Sequence, residues 1–94
     1  MIYRIELSPD SLKDIEEVYR ELAEQDAGYA DRWFYGIHDA IERLETFPKR
    51  CGIAYESLVF GIELRQLLVG RKSNMYRIWF VVQDEVVRIH RVRH

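Results

Sequence analysis

Between Ile62 and Arg93 apolar residues recur at every second position in three successive runs, a period that only an extended chain converts into one apolar face. In the first run Ile62, Leu64 and Leu68 alternate with Glu63, Arg65 and Leu67. In the second, Tyr76, Ile78, Phe80 and Val82 alternate with Met75, Arg77, Trp79 and Val81, and in the third Val87, Ile89 and Arg91 alternate with Arg88 and His90. The breaks, Gly70 to Asn74 and Gln83 to Glu85, are of hairpin length, so the runs predict an antiparallel meander of three strands. Tyr3, Ile5 and Leu7 repeat the same pattern at the start and predict a further strand.

Between these strand signals the period lengthens. Ser8-Pro9-Asp10 is a helix start: a hydroxyl for the orphan N–H groups, a proline where no N–H is needed, and an acid at the positive end. Leu12, Ile15, Tyr19 and Leu22 then form one stripe to about Glu24, with Glu16 placed to pair with Arg20. A polar break from Gln25 to Tyr29 precedes a second helix whose stripe is Ala30, Phe34, Ile37, Ile41 and Leu44, widened by Trp33 and Ala40 and ended before Pro48. Gly36, inside that helix, suggests a close approach of helix or sheet. From Lys49 to Phe60 no period survives, and a loop crossing the domain is expected. The order is β-α-α-β-β-β in one domain spanning 1–94. The fold class is α+β, with a helix hairpin packed on one face of an antiparallel sheet and the other face partly open.

Composition removes several function classes. A single Cys51 precludes an internal disulfide, and no Cys/His spacing, glycine-rich phosphate loop, HExxH or GxSxG motif is present, so neither metal nor cofactor is expected. No apolar run approaches the roughly 18 residues that span a bilayer, and the alternating start is unlike a signal peptide, so a cytoplasmic protein is expected. Charge is unevenly divided: residues 1–61 carry a net −6 and residues 62–94 a net +4, within an overall −2. The basic third suits a polyanionic partner, whether nucleic acid or an acidic protein segment.

The chemistry-bearing side chains of that third are Arg65, Arg71, Lys72, Tyr76, Arg77, His90, Arg91, Arg93 and His94. Alternation points Arg65 and Arg77 away from Leu64 and Ile78, so on neighbouring strands they are expected to share the uncovered face as an anion clamp. The competing reading of each is an ordinary one. Either arginine can pair with an acid such as Glu63, Tyr76 fits a core aromatic with a bonded hydroxyl, and Glu56 alone in a loop is a solvated acid.

Taken together, these segments resemble the RelE/ParE superfamily of toxins from bacterial type II toxin–antitoxin, or plasmid stabilisation, systems. The resemblance rests on Leu7-Ser8-Pro9, Asp14-Ile15, Ala40 to Leu44 with Phe47-Pro48, Glu63 to Arg71, Tyr76 to Phe80, and His90 to His94, in that order across nearly the whole chain. It implies two helices on an antiparallel sheet, a growth inhibitor, and a cognate antitoxin that silences it. ParE-type members poison DNA gyrase, whereas RelE- and YoeB-type members cut messenger RNA on the ribosome without a metal. By that likeness Glu56 would be the base, Arg77 or Arg65 the phosphate clamp and His94 the acid that protonates the departing 5′-oxygen. Arg65, Arg71, Lys72, Arg77, Arg91 and Arg93 would meet antitoxin or target. The segments from Arg65 to Val69 and Tyr76 to Phe80 lie closer to the ParE side, leaving a ribosome-dependent endoribonuclease and an inactive, partner-binding member as alternatives.

Overall fold

The computed structural model describes all 94 residues. Strand β1 (Arg4–Leu7) leads into α1 (Pro9–Gln25) and α2 (Ala27–Glu42); a short helix α3 (Ser57–Phe60) precedes β2 (Arg65–Val69), β3 (Tyr76–Gln83) and β4 (Val86–Arg93). Ser8 caps α1 as its sequence requires, its Oγ accepting from Ser11 N–H at 3.0 Å. The expected break at Gln25 to Tyr29 shrinks to one residue. Asp26 ends α1 and also caps α2, accepting from Tyr29 N–H at 3.1 Å, so the helices join without a loop. The expected Glu16–Arg20 pair forms.

The sheet order is β1-β4-β3-β2. The last three strands form the expected antiparallel meander, but β1 lies parallel to β4, so the sheet is mixed rather than wholly antiparallel. The helix hairpin is the reason: it returns the chain to the start of β1, where Tyr3 N–H donates to Glu45 O at 2.9 Å. Strand β2 therefore sets out from the same end as β1, and two reversals later β4 does so again.

The main core lies between the helices and one face of the sheet. Ile15, Ile37, Ala40, Ile41 and Leu44 from the helical side meet Tyr76, Ile78, Phe80, Val87, Ile89 and Val92 from the strands. Leu12, assigned to the buried stripe from the sequence, is 51% exposed, because α1 turns Ser11, Asp14 and Ile15 inward instead. The phase of β2 also differs. Its register pairs Leu67 with Ile78 and Val69 with Tyr76 on the core side, leaving Leu68 52% exposed opposite Arg77. One 3-10 turn, Arg43–Glu45, precedes the stretch expected to be featureless; a second, Pro48–Arg50, opens it, and α3 closes it. Residues 53–64 fold over the second sheet face, burying Ala54 and Leu64 and setting the Phe60 ring edge-on to Trp79 at 6.3 Å.

Beyond Leu7, β4 has no strand on its β1 side, and the cap residue Ser8 and α1 supply the missing partners. Ser8 N–H donates to Ile89 O at 2.9 Å, Ser8 Oγ donates to His90 O at 2.8 Å, and Asp14 Oδ2 accepts from Val92 N–H at 2.9 Å. His90 is the extra residue of a bulge: Trp79 faces Arg91 and Phe80 faces Ile89. No helix is long and apolar enough to cross a membrane.

Candidate functional site

Glu56 is positioned by the fold over the second face. Ser57 Oγ accepts from Leu64 N–H at 2.7 Å and bonds Ile62 O, closing a tight turn around α3 that ends in left-handed Gly61. This presents Glu56 to β3, where Arg77 grips both carboxylate oxygens at 2.8 and 2.5 Å. Arg77 Nε donates to Gln66 Oε1 at 2.9 Å, and its guanidinium lies 4.8 Å from the Trp79 ring centroid. The hydrogen bonds from Arg77 hold the Glu56 carboxyl below its usual range, burial opposing them. Glu56 is thus a fixed anion rather than a solvated acid. A general base for RNA cleavage needs an affinity for protons moved toward neutrality, and this carboxylate moves the other way.

His94 is not brought to this pair. Tyr76 and Arg77 are adjacent in β3 and point to opposite faces, Tyr76 into the helix-side core. The His94 ring stacks on Tyr76 at 4.7 Å, and its Nε2 lies 2.8 Å from Ser73 O. The sheet therefore separates the three residues grouped by family likeness: Glu56 and Arg77 on one side, His94 on the other.

The expected Arg65–Arg77 clamp is also absent. Register pairs Arg65 with Phe80, a core residue, and Arg77 with Leu68 on the second face. The reason is the changed phase of β2, in which Leu67 and Val69 rather than Leu64 and Leu68 seek the main core. Arg65 instead donates to Cys51 O at 2.6 Å and Lys49 O at 3.3 Å and pairs with Glu63 at 2.9 Å. Its role is to tie the crossing segment to the edge of the sheet, as the pairing alternative anticipates.

Arg91 is likewise held internally, donating from Nε and one terminal nitrogen to Asp14 at 2.8 and 3.0 Å. Burial raises the Asp14 carboxyl, but bonds from Arg91 and Val92 N–H, together with the charges of Arg91 and Arg93, outweigh it and leave a net lowering. His90 is pushed down by burial and by the charge of Arg88, which itself pairs with Glu6 at 2.7 Å. Of the six arginines and lysines assigned to binding, Arg71, Lys72 and Arg93 have no acid partner. All three are exposed, Arg71 and Lys72 in the turn before β3 and Arg93 at the end of β4, so the free cations gather at one end of the sheet.

A cleft of about 400 Å³ opens beside that end, between α2 and the β2–β3 turn. Trp33, Val69 and Tyr76 line it, Gly36 lies on its helical wall, and Arg32 and Arg71 stand at it. The close approach expected at Gly36 does not occur, since a Cβ placed there meets no atom within 4 Å. The glycine nevertheless costs the helix about 1 kcal/mol relative to alanine. Nor does the Tyr76 hydroxyl find the expected partner, although burial holds it protonated beyond its ordinary range. Gly70 does have a local reason: at φ +118 its Cβ would fall 2.1 Å from Asn74 O.

Sequence reasoning missed the structural role of Asp14, the Gln66 and Trp79 support of Arg77, and the Gly36 cleft. An acid three residues after Ser11 and beside Ile15 on the inward side of α1 is the one local signal, since buried acids require partners. No three His, Cys, Asp or Glu side chains converge on a position that could hold a metal ion.

The sequence matches the family described as ParE toxin of type II toxin–antitoxin system, parDE, over residues 5–94. No curated protein matches it. Among solved structures, a chain of the chromosomal ParDE toxin–antitoxin system from P. aeruginosa superposes with a TM-score of 0.78 at 17% identity, covering 99% of this chain and 96% of that one. At that identity the likeness concerns the fold, whereas the sequence match spans nearly every residue. This chain belongs to the ParE toxin family of type II toxin–antitoxin systems, which implies a cognate antitoxin as its partner.

Proposed function

We propose that this chain arrests growth in the cytoplasm by binding a macromolecular target, DNA gyrase on the ParE-side likeness, and that its antitoxin silences it by covering part of the same surface. The observation that carries this reading over RNA cleavage is the division of Glu56 and Arg77 from His94 by the sheet. Arg77 is already engaged by Glu56 and Gln66, and the carboxylate is a weak base, so this arrangement favours binding over acid–base catalysis. Arg71, Lys72 and Arg93, lacking acid partners at one end of the sheet, are the contacts we assign to target or antitoxin.

Induction in bacteria without an antitoxin gene tests the reading directly. Growth arrest with intact transcripts, and inhibition of purified gyrase in a supercoiling assay, is the expected result. Discrete new messenger-RNA ends by primer extension, abolished by His94→Ala, would transfer the proposal to the endoribonuclease alternative. Unimpaired growth at confirmed expression of the folded chain would leave only an inactive, partner-binding member.

A further inference from the structure

The cleft between α2 and the β2–β3 turn serves neither the core nor the Glu56–Arg77 pair, yet three independent features are concentrated in it. Arg32 and Arg71 stand at it without any carboxylate in ion-pair distance, Arg32 lying near the Tyr29 ring at 5.9 Å and beside Gly28, which Asp26 Oδ1 also flanks. Gly36 interrupts α2 where no atom of the chain approaches, so its missing side chain widens the cleft and does nothing else visible. Trp33, which lines the cleft beside Tyr76, keeps a buried indole N–H without a partner in the chain.

The chemistry of such a site is an anion joined to an apolar body. Guanidinium groups favour carboxylate or phosphate, and the aromatic lining favours bulk beside it. A nucleobase is disfavoured because one face of Tyr76 is already stacked by His94, and the Trp33 and Tyr76 rings cross at 5.2 Å in a T-shaped arrangement rather than forming a parallel platform. We propose that this cleft anchors a segment of the partner antitoxin that carries a carboxylate next to a bulky apolar side chain. The carboxylate meets Arg32 and Arg71, while the apolar group enters beside Gly36 against Trp33 and Tyr76. The proposal rests on the antitoxin reading for the source of the segment; the cleft's preference for an acidic, apolar ligand stands on the residues themselves.

The chain has two tryptophans, Trp33 and Trp79, so its indole N–H signals in a nitrogen-15 spectrum report the cleft and the opposite sheet face separately. Titration with acetyl-Glu-Phe-amide should move the Trp33 signal and leave that of Trp79 in place. Acetyl-Gln-Phe-amide should bind roughly tenfold more weakly, the loss expected when a charged hydrogen bond becomes neutral. Gly36→Leu should abolish the response within an otherwise native spectrum, and Arg71→Glu, a change on an exposed turn, should reverse the preference between the two peptides. An unmoved Trp33 signal, an unchanged titration in Gly36→Leu, or equal or tighter binding of inorganic phosphate or a short single-stranded oligonucleotide would overturn the proposal. If the wild-type chain fails to arrest growth, the toxin reading falls, while the peptide titration still decides the cleft.

Discussion

Asp14→Ala isolates the contact that replaces a strand at the edge of the sheet. The substitution removes the acceptor of Val92 N–H, in a residue that is 2% exposed, and both acceptors of Arg91. An orphaned buried amide costs about 1–3 kcal/mol. The Arg91 side chain is 37% exposed and can rehydrate, so its lost pair adds only about 0–1 kcal/mol. The two together come to about 1–4 kcal/mol, and a central value of about 2.5 kcal/mol lowers the melting temperature of a domain this size by about 10–20 °C. Urea unfolding followed by tryptophan fluorescence at pH 7 measures it. The pH dependence has a definite sign. The folded carboxyl titrates below its unfolded value of 3.8, so its stabilisation is complete well above pH 3.8 and disappears as pH falls through the folded value. The gap between wild type and variant should therefore narrow toward pH 3. A gap under about 0.5 kcal/mol at neutral pH would refute the argument that α1 completes the hydrogen bonding of β4.

Gly36→Ala should raise stability by about 1 kcal/mol, because the helix gains propensity and the added Cβ meets open space; a loss in thermal denaturation would show an approach that the structure lacks. Gly70→Ala should cost at least about 2 kcal/mol, since a positive φ combines with a 2.1 Å clash against Asn74 O, and an unchanged melting temperature would contradict that turn. Tyr76→Phe should stay within about 0.5 kcal/mol of wild type, the lost hydroxyl having no partner in the chain, with equilibrium unfolding as the check. Ser8→Ala should lose about 1–2 kcal/mol, because one hydroxyl both caps α1 and donates to His90 O; a neutral result would separate the cap from the strand contact.

The legible part of the fold was the part carried by short-range pattern. Ser8-Pro9-Asp10 started α1, alternation from Tyr76 to Val82 and from Val87 to Ile89 placed β3 and β4 with their buried faces, and Glu16 found Arg20 one turn away. These outcomes depend on neighbours a few residues off, and the backbone period translates them directly into faces. Strand β2 was harder, because Leu64 and Leu68 compete with Leu67 and Val69 for the same core and alternation alone does not rank two apolar sets.

The candidate site depended largely on contacts between residues far apart in the chain. Glu56 finding Arg77 across 21 positions, Asp14 finding Arg91 across 77, and His94 turning to Tyr76 rather than to Arg77 are consequences of strand order, a bulge at His90, and a segment folded over one sheet face. A sequence alone determined that this chain would be a helix hairpin on a meander with a basic final third, since local periodicity and charge are written residue by residue. Only the tertiary structure decided which of those cations are neutralised and which remain free, because a charge is paired by whichever distant carboxylate the packing brings within a few ångströms.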